Sequence, residues 1–289
     1  MAQQLVQSSI ADQAVTGYRF ETHYLLSEDK QRRYRVYLAI PTQTAPAQGF
    51  PVLYLLDGNA VMDTLRTSDL ETVAQTATPP VLVAVGYDIA TRNDVVARSY
   101  DYTPPVYEKE RMVTPTVRGH QGGGAAQFFS FLQQKIRPLV ATRVPTDPSW
   151  QGLWGHSYGG LFVLYAANQT NSPFTHYVAA DPSVWWHEQA VVAHWQQQDV
   201  NQLAPKSLMV LVGTQRQRHA ARFTQQSQAL FEQLQRLQAT GWHLLYETYP
   251  DAGHGDMIAV ALKKTLTYYF REWMTNVSRP TCTRCTRPQ

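Results

Sequence analysis

Gly155-His156-Ser157-Tyr158-Gly159 is a G-x-S-x-G pentapeptide, set between the strand-like run Gly152-Leu153-Trp154 and the apolar stretch Leu161 to Ala167. A serine hydroxyl attacks a carbonyl only if it stands clear of the backbone and loses its proton. A sharp strand-to-helix bend meets the first need. It lifts the side chain above the sheet, its glycines let strand and helix approach, and the helix N-terminus aims free N–H groups at developing negative charge. An imidazole meets the second. Of nine histidines, His254 lies in Asp251-Ala252-Gly253-His254-Gly255, after the last strand-like run and before a closing helical pattern. The pattern predicts Ser157 as nucleophile and His254 as general base. His156 is expected to point away from Ser157 across the bend, and His187 either lines the pocket or lies exposed.

Acyl transfer also makes an oxyanion that needs two fixed N–H donors. Tyr158, directly after the nucleophile, is expected to supply one. The loop Leu56-Asp57-Gly58-Asn59 is expected to supply the other, from Gly58 first and Asn59 second. A triad acid ordinarily follows the seventh strand of such a sheet. Here that stretch reads Gly213-Thr214-Gln215-Arg216-Gln217-Arg218-His219, with no carboxylate before Glu232. Two arrangements follow. The first is a Ser157–His254 dyad, with the imidazole oriented by a carbonyl or a neutral side chain. The second moves the acid one strand over, to Asp181 in Ala180-Asp181-Pro182-Ser183. Asp251 and Asp256 stand too near His254 for comfortable geometry. There is no H-E-x-x-H and no dense His/carboxylate cluster, so neither a metal nor another cofactor is expected.

These residues need a frame that places them at one edge. Two alternating segments, Tyr18 to Leu26 and Arg33 to Ile40, read as an antiparallel strand pair. Six short apolar runs follow: Val52 to Leu56, Val81 to Val85, Gln151 to Trp154, Tyr177 to Ala180, Leu208 to Val212 and Leu244 to Tyr249. Nearly continuous apolar runs suit strands buried on both faces of a parallel sheet. Helical spacing recurs at Phe128, Leu132, Ile136 and Val140, at Leu230, Leu234 and Leu237, and from Met257 to Met274. The expectation is an α/β fold of the α/β-hydrolase type: a mostly parallel, doubly wound sheet of about eight strands with an antiparallel N-terminal pair. Residues 1–16 are expected to be a flexible N-terminus, 17–276 a single domain, and 277–289 a disordered basic tail.

The bulk composition agrees. At 289 residues, with 44% hydrophobic and 16% charged residues, the chain can build one sizeable core. A net charge of +3 gives no argument for nucleic acid. No 18-residue apolar window exists, so no membrane span is expected. Met1 to Val15 has no apolar h-region, so a cytoplasmic location is expected. The only cysteines, Cys282 and Cys285, lie in the basic tail, and a lone C-x-x-C lacks the second half of a zinc site.

Longer motifs resemble a known family. Phe50-Pro51-Val52-Leu53-Tyr54-Leu55-Leu56-Asp57-Gly58-Asn59-Ala60-Val61-Met62-Asp63 resembles the third-strand signature of the esterase D-like branch of the α/β hydrolases. Gly122-Gly123-Gly124-Ala125, the bend extended to Gly160-Leu161, and Pro182-Ser183-Val184-Trp185-Trp186 carry the same likeness. Arg98-Ser99-Tyr100-Asp101-Tyr102-Thr103-Pro104-Pro105 narrows it to catecholate siderophore esterases of the IroE type. The resemblance spans roughly residues 18 to 275. It implies hydrolysis of the trilactone backbone of enterobactin- or salmochelin-like siderophores, iron-free or ferric, by a Ser–His dyad. The chain departs in two respects: the family usually has Ser where Asp181 stands, and it carries an export segment for the periplasm.

A ferric tris-catecholate is anionic, bulky and aromatic. Arg98, Arg92, Arg216 and Arg218 are candidates for the pocket mouth, since a guanidinium suits oxygen-rich anions. Tyr102, Trp185 and Trp186 are candidates for stacking on catechol rings. Against these roles stand a surface ion pair between Arg98 and Asp101 and a core position for the tryptophans. The function read from the sequence is a serine esterase acting on a small-molecule ester, with the siderophore as substrate. Two alternatives remain open: a general carboxylesterase of the esterase D or feruloyl type, and a non-catalytic binding protein on the same fold.

Overall fold

The computed structural model of the chain describes residues 4–108, 111–215 and 220–273. Its centre is an eight-stranded sheet. The strands are β1 (Tyr18–Leu26), β2 (Arg33–Pro41), β3 (Phe50–Leu56), β4 (Val81–Tyr87), β5 (Thr146–His156), β6 (His176–Ala180), β7 (Ser207–Gly213) and β8 (His243–Tyr249). Their order across the sheet is β1-β2-β4-β3-β5-β6-β7-β8. β1–β2 and β2–β4 pair antiparallel, and the remaining pairs are parallel. The eight runs and the antiparallel start therefore stand as expected from the sequence.

Alternation along each strand divides the core in two. On β2 to β4, Val36, Leu38, Val52, Tyr54, Val81 and Val83 face one layer; Tyr37, Ala39, Leu53, Leu55, Leu82 and Ala84 face the other. Successive strand side chains point to opposite faces, so a strand covered on both sides must be apolar throughout. The first layer is closed by α4 (Ala125–Phe131), α5 (Arg137–Arg143), α6 (Tyr158–Ala167), α7 (Ala190–Gln197) and α8 (Ala220–Leu234). The second is closed by α1 (Gly58–Thr64), α2 (Thr67–Ala74) and α9 (Met257–Thr267). α3 (Val95–Asp101) lies at the carboxyl edge, after β4. Among the described residues no helix is long and apolar enough to cross a membrane.

The structure departs from the sequence reading in three places. The helical pattern through Phe128 and Val140 is interrupted by a π turn, Leu132–Ile136, between α4 and α5. Pro138 has no N–H for the Gln134 carbonyl and its ring crowds that turn, so the backbone widens upstream. Two small hairpins, Val106–Glu108 with Arg111–Val113 and Thr116–Val117 with His120–Gln121, lay in a stretch where no element was expected. The lead-in expected to be flexible is tied down over residues 4–16. Ile10 is fully buried, the backbone N–H groups of Gln7 and Ser8 donate to Asp63 Oδ1, and Leu5 bridges to Thr91. Cys282 and Cys285 lie outside the described residues, as does the whole of 277–289.

A buried acidic side chain sits under the edge of the sheet. Asp101 is fully buried; it accepts hydrogen bonds from Tyr34 Oη (2.8 Å) and Tyr87 Oη (2.9 Å) and pairs with Arg32 Nε at 2.9 Å. Burial pushes its carboxyl up from 3.8 to about 7, against the pull of Arg32 and both hydroxyls. Between those two values the folded chain holds a proton that the unfolded chain has released. The native state binds more protons there, so stability falls as pH rises through the window. Asp101→Asn cannot titrate. Urea midpoints measured from pH 4 to 7 should show wild type losing ground to the variant as pH rises. A gap that stays constant over the range would mean that Asp101 does not titrate there.

Candidate active site

β3, β5 and β6 are neighbours in the sheet, and the first residue beyond each has a positive φ: Asp57 at 52°, Ser157 at 61° and Asp181 at 41°. L-residues adopt such backbone rarely, at a cost of about 1–3 kcal/mol each. Each residue turns the chain abruptly off the sheet, so three loops gather at one carboxyl edge.

Ser157 lies between β5 and α6. Its N–H donates to the Ala180 carbonyl at 3.0 Å, and its own carbonyl accepts from the N–H groups of Leu161 and Ser183, both at 3.0 Å. The bend is tight at one glycine in particular. A Cβ on Gly155 would lie 2.4 Å from the Gly159 backbone carbonyl, whereas one on Gly159 would meet nothing nearer than Leu56 Cβ at 3.5 Å. Gly155 is therefore the glycine that the close approach of strand and helix requires.

The side chains above this edge form a continuous chain of hydrogen bonds. Ser157 Oγ is 3.1 Å from His254 Nε2, and His254 Nδ1 is 2.5 Å from Asp181 Oδ2. Asp181 is fixed in turn by its N–H, which donates to the Leu211 carbonyl at 2.6 Å. A carboxylate only accepts, so Nδ1 carries the imidazole proton and the Nε2 lone pair faces the serine hydroxyl. That is the tautomer a general base needs. The dyad read first from the sequence gives way to a triad-like arrangement, with the acid one strand from its usual place. Asp256 takes no part, because its Oδ2 accepts from the Gly253 N–H.

Tyr158 is the first residue of α6, so its N–H has no intrahelical acceptor. Across from it, α1 begins at Gly58. A Cβ on Gly58 would come within 2.7 Å of the Ala84–Gly86 backbone, so this glycine admits the start of α1 against β4. Asn59 is turned the other way. Its backbone N packs against Gly86, and its Nδ2 donates to the carbonyls of Tyr87, Ile89 and Thr91. Asn59 anchors the loop and leaves the Gly58 N–H as the better placed of the two candidates.

Two residues read as substrate contacts grip this same loop instead. Arg98 does not pair with Asp101. It binds both oxygens of Asp57, Nε to Oδ1 at 2.9 Å and Nη2 to Oδ2 at 2.8 Å, with only 13% of its side chain exposed. Its Nη2 also reaches the His156 carbonyl at 3.4 Å. Tyr102, one helical turn on, is fully buried and accepts the Asp57 N–H on its hydroxyl at 3.1 Å. Spacing of i and i+4 puts both side chains on one helix face, and that face meets Asp57 rather than solvent. Trp186 is likewise buried in the core, and Arg92 is held by Asp63 and Thr64. Arg216 and Arg218 lie outside the described residues.

Trp185 alone of the stacking candidates stays half-buried beside the site, 6.0 Å from the Tyr158 ring. The exposed Arg118 guanidinium lies over it at 5.0 Å. The sequence reading missed Arg118, which sits on a hairpin too short to give a periodic signal. It missed Asp57 as the partner of Arg98 as well. Ser183 Oγ, 3.3 Å from Ser157 Oγ, entered only within the segments 180–183 and 182–186, with no role of its own. His156, Asp181 and His254 place ligand-type atoms within 4.8 Å of one another, but these atoms are committed to hydrogen bonds: His156 Nε2 to the His254 carbonyl, His254 to Asp181 and Ser157.

Comparison with known proteins adds a family. The model of the family described as "Putative esterase" matches residues 27–256. An apo-salmochelin esterase of Escherichia coli O6:H1 is 35% identical over 263 residues, covering 89% of this chain and 81% of that protein. The ferri-bacillibactin esterase BesA of Bacillus subtilis is 27% identical over 256 residues, 86% of this chain and 88% of that one. Among solved structures, the enterobactin and salmochelin hydrolase IroE superposes with a TM-score of 0.76 at 33% identity, covering 91% of this chain and 99% of that one.

The two glycines of the bend separate its steric demand from its chemistry. Gly155→Ala forces Cβ against rigid backbone and should lower stability by about 1–3 kcal/mol. Gly159→Ala finds ordinary contact distance inside a helix and should change stability by less than about 1 kcal/mol, in either direction. Urea midpoints of the two variants test this. Equal losses would show that the bend is not tight at Gly155.

Proposed function

The chain belongs to this esterase family, and from that premise we propose that it hydrolyses the ester bonds of a catecholate siderophore trilactone, with Ser157, His254 and Asp181 as the catalytic group. The single observation that carries the mechanism is the relay from Ser157 Oγ to His254 Nε2 and from His254 Nδ1 to Asp181.

In the first step Ser157 Oγ adds to the ester carbonyl carbon while His254 Nε2 takes its proton. The carbonyl oxygen becomes an oxyanion, which the N–H groups of Tyr158 and Gly58 receive. Asp181 keeps the ring in its Nδ1–H tautomer and stabilises the imidazolium as it forms. As the tetrahedral intermediate collapses, the bond to the leaving oxygen breaks and His254 gives that oxygen the proton. The acyl group stays on Ser157. Water then repeats the sequence, with His254 as base, and releases the acid.

The choice of substrate rests on the named relatives and on two features of the surroundings. The imidazole is 49% exposed, so the reacting edge is open to a bulky ester. Beside it, Arg118 over Trp185, with the Tyr158 ring next to that indole, makes a cationic and aromatic border. A guanidinium on an aromatic face offers a flat anionic ring both charge and stacking surface.

Ser157→Ala should reduce ester turnover by about four orders of magnitude or more, and Asp181→Asn by about 10²–10⁴-fold. Near-normal turnover in Asp181→Asn would return the account to a dyad. For the substrate, products of a cyclic catecholate trilactone are followed by mass spectrometry beside p-nitrophenyl acetate. Arg118→Ala should raise KM about 5- to 30-fold for the catecholate, an effect of about 1–2 kcal/mol, and leave the neutral ester unchanged. A catecholate that is cut no faster than the simple ester would favour a general carboxylesterase.

A further inference from the structure

His156 stands next to the nucleophile but outside the relay. The residue is 7% exposed, its Nε2 lies 2.7 Å from the backbone carbonyl of His254, and the two imidazole rings are 4.6 Å apart between centroids. A carbonyl can only accept, so Nε2 carries the proton and the ring is a donor toward the loop of the base. Burial above all, with His254 and the Arg98 guanidinium nearby, holds the ring well below the usual imidazole range, and it stays neutral.

Among the described residues, the base loop has few other supports on the nucleophile's side. His254 is flanked by Gly253 and Gly255, and a Cβ on Gly255 would meet nothing within 4 Å. Hydrogen bonds from Asp256 and Met257 to the Gly253 carbonyl fix the loop to its own helix, α9. The His156 contact is different, because it fixes the loop to the residue before Ser157. The His156 carbonyl is held in turn by Arg98, which is locked on Asp57. One line of hydrogen bonds thus joins the loop after β3, the bend after β5 and the loop of the base.

We infer that His156 is a positioning residue whose Nε2–H holds the His254 backbone so that the base stays within proton-transfer reach of Ser157. Being neutral, it also adds no second positive charge beside the ring that becomes imidazolium. This inference rests on the reading of Ser157 and His254 as nucleophile and base.

The test uses His156→Leu, which has no donor, and His156→Gln, whose Nε2 amide can take the place of the imidazole N–H. Both are made in the full chain and assayed on p-nitrophenyl acetate, with Ser157→Ala as control and thermal melts on every variant. His156→Leu should lose about 10- to 100-fold in kcat with KM within about twofold, the cost of a base displaced by a fraction of an ångström to an ångström. His156→Gln should recover most of that loss. Wild-type kcat in a folded His156→Leu overturns the proposal, and so does equal impairment of the two variants, which would show that ring packing rather than the donor matters. If His156→Leu does not fold, His156→Met carries the same comparison. Should neither fold, a His156→Gln variant impaired in kcat as His156→Leu was expected to be overturns the proposal, and a near-normal one supports it. Retained turnover in Ser157→Ala would instead overturn the functional reading itself, whatever the His156 variants do.

Discussion

The site depends on three abrupt exits from three adjacent strands. Asp57, Ser157 and Asp181 each leave the sheet with a positive φ, and without those turns their loops would run on past the carboxyl edge instead of gathering over it. None of the three is glycine, so each holds a side chain in backbone that L-residues avoid. The surrounding bonds explain how that is tolerated. Asp57 is clamped at both carboxylate oxygens and at its N–H, Ser157 is bonded at its N–H and carbonyl, and Asp181 is bonded at its N–H and carboxylate. Strain of this kind persists only where the structure over-determines it.

Arg98 ties two of these turns together. Its bidentate grip on Asp57 and its reach to the His156 carbonyl join the loop after β3 to the bend after β5. A buried guanidinium is costly unless its charge is met in good geometry, and two short parallel bonds to one carboxylate provide that. The same burial removes Arg98 from direct contact with a substrate. Among the described residues, Arg118 is an exposed cation beside the site, held on the aromatic face of Trp185.

What could be read from the sequence follows from how local each cause is. The inner strands were legible because burial on both faces makes each a short apolar run, and β1 showed the alternation of a half-covered edge strand. Ser157 and His254 stood out because glycines flank both and each sits at a change from strand to helix pattern. Asp181 was harder. Its place on the imidazole depends on β6 lying next to β5, a fact of sheet order that no local pattern carries. Arg98 and Tyr102 were misjudged for a related reason. Their i, i+4 spacing shows that they share a face of α3, but only the packing of α3 shows that the face meets Asp57. The hairpin bearing Arg118 has strands of two residues, too short for any period to register.

The central claim is that one hydroxyl, at the strained turn after β5, is made nucleophilic by one imidazole 3.1 Å away. The most direct measurement is peptide mass spectrometry after exposure to a fluorophosphate that captures activated serines. The account predicts a single adduct, on the peptide bearing Ser157, forming at least about a hundredfold more slowly in His254→Ala. An adduct on a different residue, or equal rates with and without His254, would contradict it.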